Sequence, residues 1–337
     1  MGKFQFIKKV EQMITPKDTA TLQVMAPLSK LIPKRFQNAV MNYSAQKNPY
    51  MGFVVEPYST FLCYEILDLK WAESLIPDDF ELIKTKIFSD GEPKYYMIFG
   101  TFNVHTSAFW GTRLEVNIIA KNNKTNLLSW VIIDYDTNTL SHDKLNGVVE
   151  STTEKVVFTT DYEGTIIADI ENKEKERSLI FDLSTQNSTE KLLDSRLWLE
   201  GNLSVAYGRD ISQNTNEAFS LKFNQKEVEK GYRVPLKQVN IIKNNWFGGL
   251  CQNEPDEVVY FPYAQHYLSD SPGYYSDIRS QEQMVEAYEN LVLDSIPDYS
   301  SEIHRKTIKV AVVFNVFFVS TLIFLLLKKE MINRIIS

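Results

Sequence analysis

The stretch from Lys94 to Asp136 constrains this chain most. It opens on an apolar run, Tyr95-Tyr96-Met97-Ile98-Phe99, and continues through Phe109-Trp110-Gly111-Thr112-Arg113-Leu114-Glu115-Val116-Asn117-Ile118-Ile119-Ala120. The polar segment Lys121-Asn122-Asn123-Lys124-Thr125-Asn126 then separates it from Leu127-Leu128-Ser129-Trp130-Val131-Ile132-Ile133-Asp134-Tyr135-Asp136. Two β-rich runs around a short Asn/Lys/Thr turn predict a hairpin. Successive strand residues point to opposite faces, so Leu114, Val116 and Ile118 share one face and Arg113, Glu115 and Asn117 the other. A strand that gathers Arg, Glu and Asn on one face either shows that face to water or lines a polar cavity.

The same pattern recurs along the middle of the chain. Candidate strands lie at 60–68, 95–103, 112–121, 127–135, 154–160, 164–170, 178–183, 203–208, 218–223 and 256–261. Many short strands at this spacing predict a mainly β barrel or sandwich over residues 51–268. Short helices are expected at 70–76, stopped by Pro77, and at 188–194. Lys173-Glu174-Lys175-Glu176-Arg177 reads as a charged hairpin tip. Residues 1–50 form a basic extension in which Phe6, Ile7, Val10, Met13 and Ile14 recur at helical spacing. Residues 17–50, with Pro27, Pro33 and Pro49, read as an irregular lead-in. A helical linker is expected over 269–305, opened by Ser280 as N-cap with Gln283 completing a capping box and ended by Pro297.

Ile308 to Leu327 is twenty residues long, interrupted by Lys309, Asn315, Ser320 and Thr321. At about 1.5 Å rise per residue such a run spans a hydrocarbon core of about 30 Å. A transmembrane helix is therefore expected over 306–329, followed by a short tail at 330–337. With no secretory h-region at the N-terminus, the expected topology is single-pass and tail-anchored, with the main domain on the cytoplasmic side. Membrane lipid, and a membrane-protein partner through the span, are the partners this would imply.

Charge and cysteines narrow the function further. The net charge of −7 hides basic ends: residues 1–50 carry eight Lys/Arg against Glu11 and Asp18, and the middle of the chain is acidic. An acidic body excludes a nucleic-acid partner, which requires a basic face on the folded domain. Cys63, Cys251 and four scattered histidines give no metal-ligand spacing, so no metal and no cofactor are expected. No Gly-rich phosphate loop, Walker pattern or nucleophile elbow is present.

Ile76-Pro77-Asp78-Asp79-Phe80-Glu81-Leu82, then Gly111 to Asn117, then Leu128 to Asp134 resemble, in that order, the acetoacetate decarboxylase-like superfamily. The resemblance covers roughly Ser59 to Asp169. It implies a closed or near-closed β-barrel around an apolar cavity, with Glu115 as the pocket glutamate. In active decarboxylases of that superfamily a buried lysine, its pKa lowered by a second lysine, forms a Schiff base with the ketone. The comparable stretch here, Gly147-Val148-Val149-Glu150-Ser151, has no lysine pair. The nearest candidate nucleophile is Lys155, beside Glu154, and a carboxylate neighbour raises a lysine's pKa. Candidate ligand-binding residues are Arg113, Glu115, Asn117 and Trp130. Three functions are open: a membrane-anchored module binding a small organic or lipid-like ligand without catalysis, a β-keto acid lyase using a buried lysine, or an assembly subunit of a membrane complex.

Overall fold

The hairpin forms as its alternation requires, and the rest of the main sheet is built outward from it. The computed structural model describes residues 3–16, 32–47, 49–106, 109–143, 147–149, 151–153, 155–172, 174–211, 219–270 and 280–296, with isolated residues elsewhere. In chain order, helices α1 (Lys3–Gln12) and α2 (Lys34–Lys47) precede β1 (Tyr50–Val55), β2 (Ser59–Glu65), α3 (Leu69–Leu75) and β3 (Phe80–Leu82). The long strands β4 (Tyr96–Thr106), β5 (Trp110–Asn122) and β6 (Leu128–Thr137) come next. Then come β7 (Ser141–Asp143), β8 (Gly147–Val149), β9 (Lys155–Thr160), β10 (Thr165–Asn172), β11 (Arg177–Ser184) and β12 (Thr189–Leu192). The chain continues through β13 (Val205–Tyr207), β14 (Leu221–Phe223), β15 (Lys230–Arg233), β16 (Val239–Asn244), β17 (Glu257–Phe261) and β18 (Gln265–Asp270) to α4 (Gln281–Glu289). Two compact units divide at Pro297.

The main sheet runs β12-β15-β17-β2-β4-β1-β18-β14, and β5 lines the other edge of β4, continuing to β6 and β13. One edge of β4 is shared: Tyr96–Thr101 pairs with β2 and Val104–Thr106 with β1. The turn between β5 and β6 closes through Asn122, whose Oδ1 accepts from the Lys124 and Thr125 amides at 2.9 and 3.2 Å. One face of this sheet packs on a second sheet, β16-β11-β10-β9, around Leu62, Phe99, Val116, Ile166, Phe181 and Leu183. The opposite face packs on the turns after β12, with Ile98, Ile132, Trp130, Trp198 and Phe261 at the contact. At the end of the sheet, α1 buries Phe6, Val10 and Met13, at i, i+4 and i+7, against Val54 and Leu268.

Several expectations change. Among the described residues the barrel does not close: β13 lies parallel to β6 for three residues, and a lone bridge from Val205 to Phe219 reaches toward β14. Among the described residues the sheet is open and branched. The expected helix at 188–194 is instead β12, hydrogen-bonded antiparallel to β15. Part of the 17–50 lead-in is α2. The expected single-pass transmembrane helix is also corrected, because among the described residues no helix is long and apolar enough to cross a membrane. Most of 306–329 lies outside the described residues. Those that are described, such as Val313, Phe317, Thr321 and Phe324, are helical and exposed. The tail anchor, and the cytoplasmic placement that depended on it, lose their basis.

Candidate functional site

Directly opposed residues in neighbouring strands share a face, so the register assigns each side chain of the hairpin. Arg113 lies opposite Phe102 on β4 and Thr137 on β6, Glu115 opposite Gly100 and Tyr135, and Asn117 opposite Ile98 and Ile132. The row Arg113, Glu115, Asn117 therefore faces the aromatic layer of Phe61, Trp130 and Trp198, away from the second sheet. Gly100 makes this possible. A Cβ there would come within 3.0 Å of the Phe61 ring, so the missing side chain lets Phe61 lie beside Glu115.

Arg113 is 8% exposed, an unusual degree of burial for a guanidinium. Its Nε donates to Glu115 Oε1, its Cζ sits 4.6 Å from the Tyr135 ring centre, and Nη1 reaches Ser141 Oγ at 3.4 Å. Burial alone would lower its pKa, but the Glu115 carboxylate and the Tyr135 and Tyr207 hydroxyls turn the net shift upward, so the group stays charged. Asn117 is 3% exposed, and its Oδ1 is buried without a hydrogen-bond partner. Trp130 is on the same face but is spent on packing: its Nε1 donates to the Leu197 carbonyl at 3.0 Å, and its ring meets Phe61 and Trp198 edge-on.

The other candidate lies elsewhere. Lys155 opens edge strand β9 in the second sheet, half exposed, with Nζ bound by Asp169 and by Glu171 at 3.2 Å. Those hydrogen bonds raise its pKa, the opposite of what an amine nucleophile requires. Among the described residues the buried lysine is Lys222, on β14 opposite Leu268 and therefore on the face that α1 covers. Its Nζ donates to Asp270 at 3.2 Å and to Ser220 at 3.0 Å. The side chains of β8, in the stretch comparable with the lysine pair, lie outside the described residues.

No family model and no curated protein matches the chain. Solved structures similar to it include the following two. An acetoacetate decarboxylase from Legionella pneumophila subsp. pneumophila str. Philadelphia 1 is 14% identical at a TM-score of 0.37, over 66% of this chain and 87% of that one. The enduracididine biosynthesis enzyme MppR, complexed with the condensation product of pyruvate and imidazole 4-carboxaldehyde, is 9% identical at a TM-score of 0.31, over 66% of this chain and 86% of its own.

Sequence reasoning missed the opposite face of the hairpin. Asp134 and Asp136 point toward the second sheet, where Asp134 binds Arg177 and, at 2.8 Å, Lys175. Asn172 donates to Asp136 at 2.7 Å, and burial raises that carboxyl's pKa. The charged tip after β10 is thus a clasp between sheets. A β-bulge conceals this in the sequence. Val116 opposes Asp134 while Asn117 opposes Ile132, which leaves Ile133 as the extra residue and reverses the sidedness of Asp134, Tyr135 and Asp136.

Proposed function

We propose that this chain binds a small organic molecule carrying a carboxylate, at Arg113 and Glu115, without covalent catalysis by a lysine. The observation that carries the reading is the buried guanidinium held at Nε by Glu115 and stacked on Tyr135. A buried ion pair adds little net stability compared with apolar packing, so its presence calls for another use. A planar guanidinium anchored along one edge presents its remaining N–H groups in the fork that suits a carboxylate. Glu115 holds the fork in place, and the aromatic residues around it supply the dry wall that strengthens a charge-assisted bond.

Thermal shift and calorimetry with acetoacetate, pentanoate and the neutral 2-pentanone test this. The acids are expected to bind and raise the Tm of the wild type, the ketone to do neither, and Arg113→Met to abolish the acid effect. Equal stabilisation by the ketone, or an acid effect that survives Arg113→Met, overturns the reading. Borohydride reduction in the presence of acetoacetate is expected to trap no adduct. A trapped lysine adduct would restore the lyase alternative.

A further inference from the structure

Helix α2 carries a row of apolar side chains that the fold leaves in solvent. Phe36 and Tyr43, about two turns apart, are 51% and 60% exposed, and Ala39 between them is exposed as well. Ile32, 46% exposed, extends the row beyond the helix start. It is held there by its carbonyl, which accepts from Gln37 Nε2 at 2.8 Å, while the Pro33 carbonyl accepts from the Phe36 amide at 2.8 Å. Residues 32, 36, 39 and 43 follow the i, i+4, i+7, i+11 spacing of one helical stripe. Gln37 and Asn38, which lie off it, are half-buried, so the stripe is the outward side. Single exposed apolar residues are ordinary, but an aligned row of them marks a contact surface.

The charges around the stripe select its partner. The chain has no acidic residue between Asp18 and Glu56. Helix α2 itself carries Lys34, Arg35 and Lys47, and the Arg35 guanidinium lies 4.8 Å from the Phe36 ring centre. A helix with aromatic residues along one side, and only cations among its charges, matches the interface of an anionic bilayer. There the rings enter the headgroup region while Lys and Arg meet the phosphates. A nucleic acid would use the cations but leave the apolar row in water. A second copy of the chain joined through the stripe would bring two sets of cations together. We propose that α2 is a surface-binding helix that lays Ile32, Phe36 and Tyr43 into the interface of an anionic lipid membrane. The contact is peripheral: at 14 residues α2 is about 21 Å long, too short to cross a hydrocarbon core. It is independent of the Arg113 site.

Co-sedimentation of the full chain with vesicles of phosphatidylcholine alone, or of equimolar phosphatidylcholine and phosphatidylserine, tests this. Binding is expected to the mixed vesicles only, and is expected to weaken as salt is raised. Phe36→Ser with Tyr43→Ser is expected to weaken it roughly tenfold. Lys34→Gln with Arg35→Gln is expected to reduce the preference for phosphatidylserine by a similar factor. In the wild type, hydrogen exchange over Lys34–Lys47 is expected to slow on the mixed vesicles, a readout that does not depend on any variant folding. The proposal falls if the mixed vesicles do not retain the chain, or if phosphatidylcholine alone retains it equally. It falls if neither pair of substitutions changes binding, or if exchange in α2 is the same with and without bound vesicles. It also falls if the chain binds no vesicle but self-associates in a way that Phe36→Ser with Tyr43→Ser abolishes.

Discussion

Replacing Arg113 alone leaves Glu115 beside Tyr135 with its cation gone, whereas replacing both partners leaves an apolar contact. Arg113→Met is expected to cost about 3 kcal/mol, and Arg113→Met with Glu115→Leu less than either change alone implies. Urea unfolding of Arg113→Met, Glu115→Leu and the double variant measures this, and a double-variant loss equal to the sum of the two single losses would show that the pair carries no coupling. The neighbouring polar residues divide by what they touch. Trp130 has its indole N–H occupied by Leu197, so its replacement is a packing change, and Lys222, tied to Asp270 and Ser220, belongs to the face under α1. The sequence made the sidedness of Arg113, Glu115 and Asn117 legible because β5 alternates without interruption. It could not show which of the three is paired or unpaired, because Phe61, Tyr135 and Ser141 reach them from other strands.

Helix α1 and strand β18 depend on each other. Gly52 on β1 allows the approach: a Cβ there would lie 2.9 Å from the Val10 carbonyl oxygen and 3.0 Å from the Met13 Cβ. Gly52→Ala is expected to destabilise the fold by about 2 kcal/mol through this clash with backbone, with hydrogen exchange in α1 rising first. His266 on β18 adds a titratable tie, with Nε2 and Nδ1 each 3.2 Å from Glu11 on α1 and Glu227 respectively. Burial lowers its pKa, but the hydrogen bonds to Glu227 and Glu11 outweigh it, so the folded value lies above the ordinary one. The contribution is therefore fully present below about pH 6.5 and is lost as pH rises through the folded pKa. A Tm profile from pH 5.5 to 8.5 should fall more steeply for the wild type than for His266→Gln, and parallel profiles would remove His266 from the account. The β18 segment, Gln-His-Tyr-Leu-Ser-Asp, has all six residues buried. Its burial comes from β1, β14 and α1, and no local apolar alternation announces it. In β12 the reverse holds: Thr189-Glu-Lys-Leu has helix-forming residues but is drawn into the sheet edge by β15.

The two sheets of the unit Met1–Pro297 share one core, with Leu62, Phe99 and Val116 from one and Ile166, Phe181 and Leu183 from the other. All five tryptophans lie in this unit, so intrinsic fluorescence follows it alone. Fluorescence and far-ultraviolet circular dichroism are expected to give coincident urea transitions. Trp246→Ala, which removes a fully buried ring packed on Phe99, should shift both by about 3–5 kcal/mol. Separated transitions would mean that the sheets unfold independently. The sheet is left open between β13 and β14 and branches at β4, whose single edge serves both β1 and β2. Each of those strands finds its other partner far along the chain: Tyr50 pairs with Asp270, and Ser59 with Phe261. On a ribosome, then, β1, β2 and β4 emerge long before the segments that cover their edges. They must wait as exposed, apolar pairing surfaces until the far end of the unit has been made. Loop closure over that separation makes folding slow, and the waiting strands are where self-association during synthesis would begin.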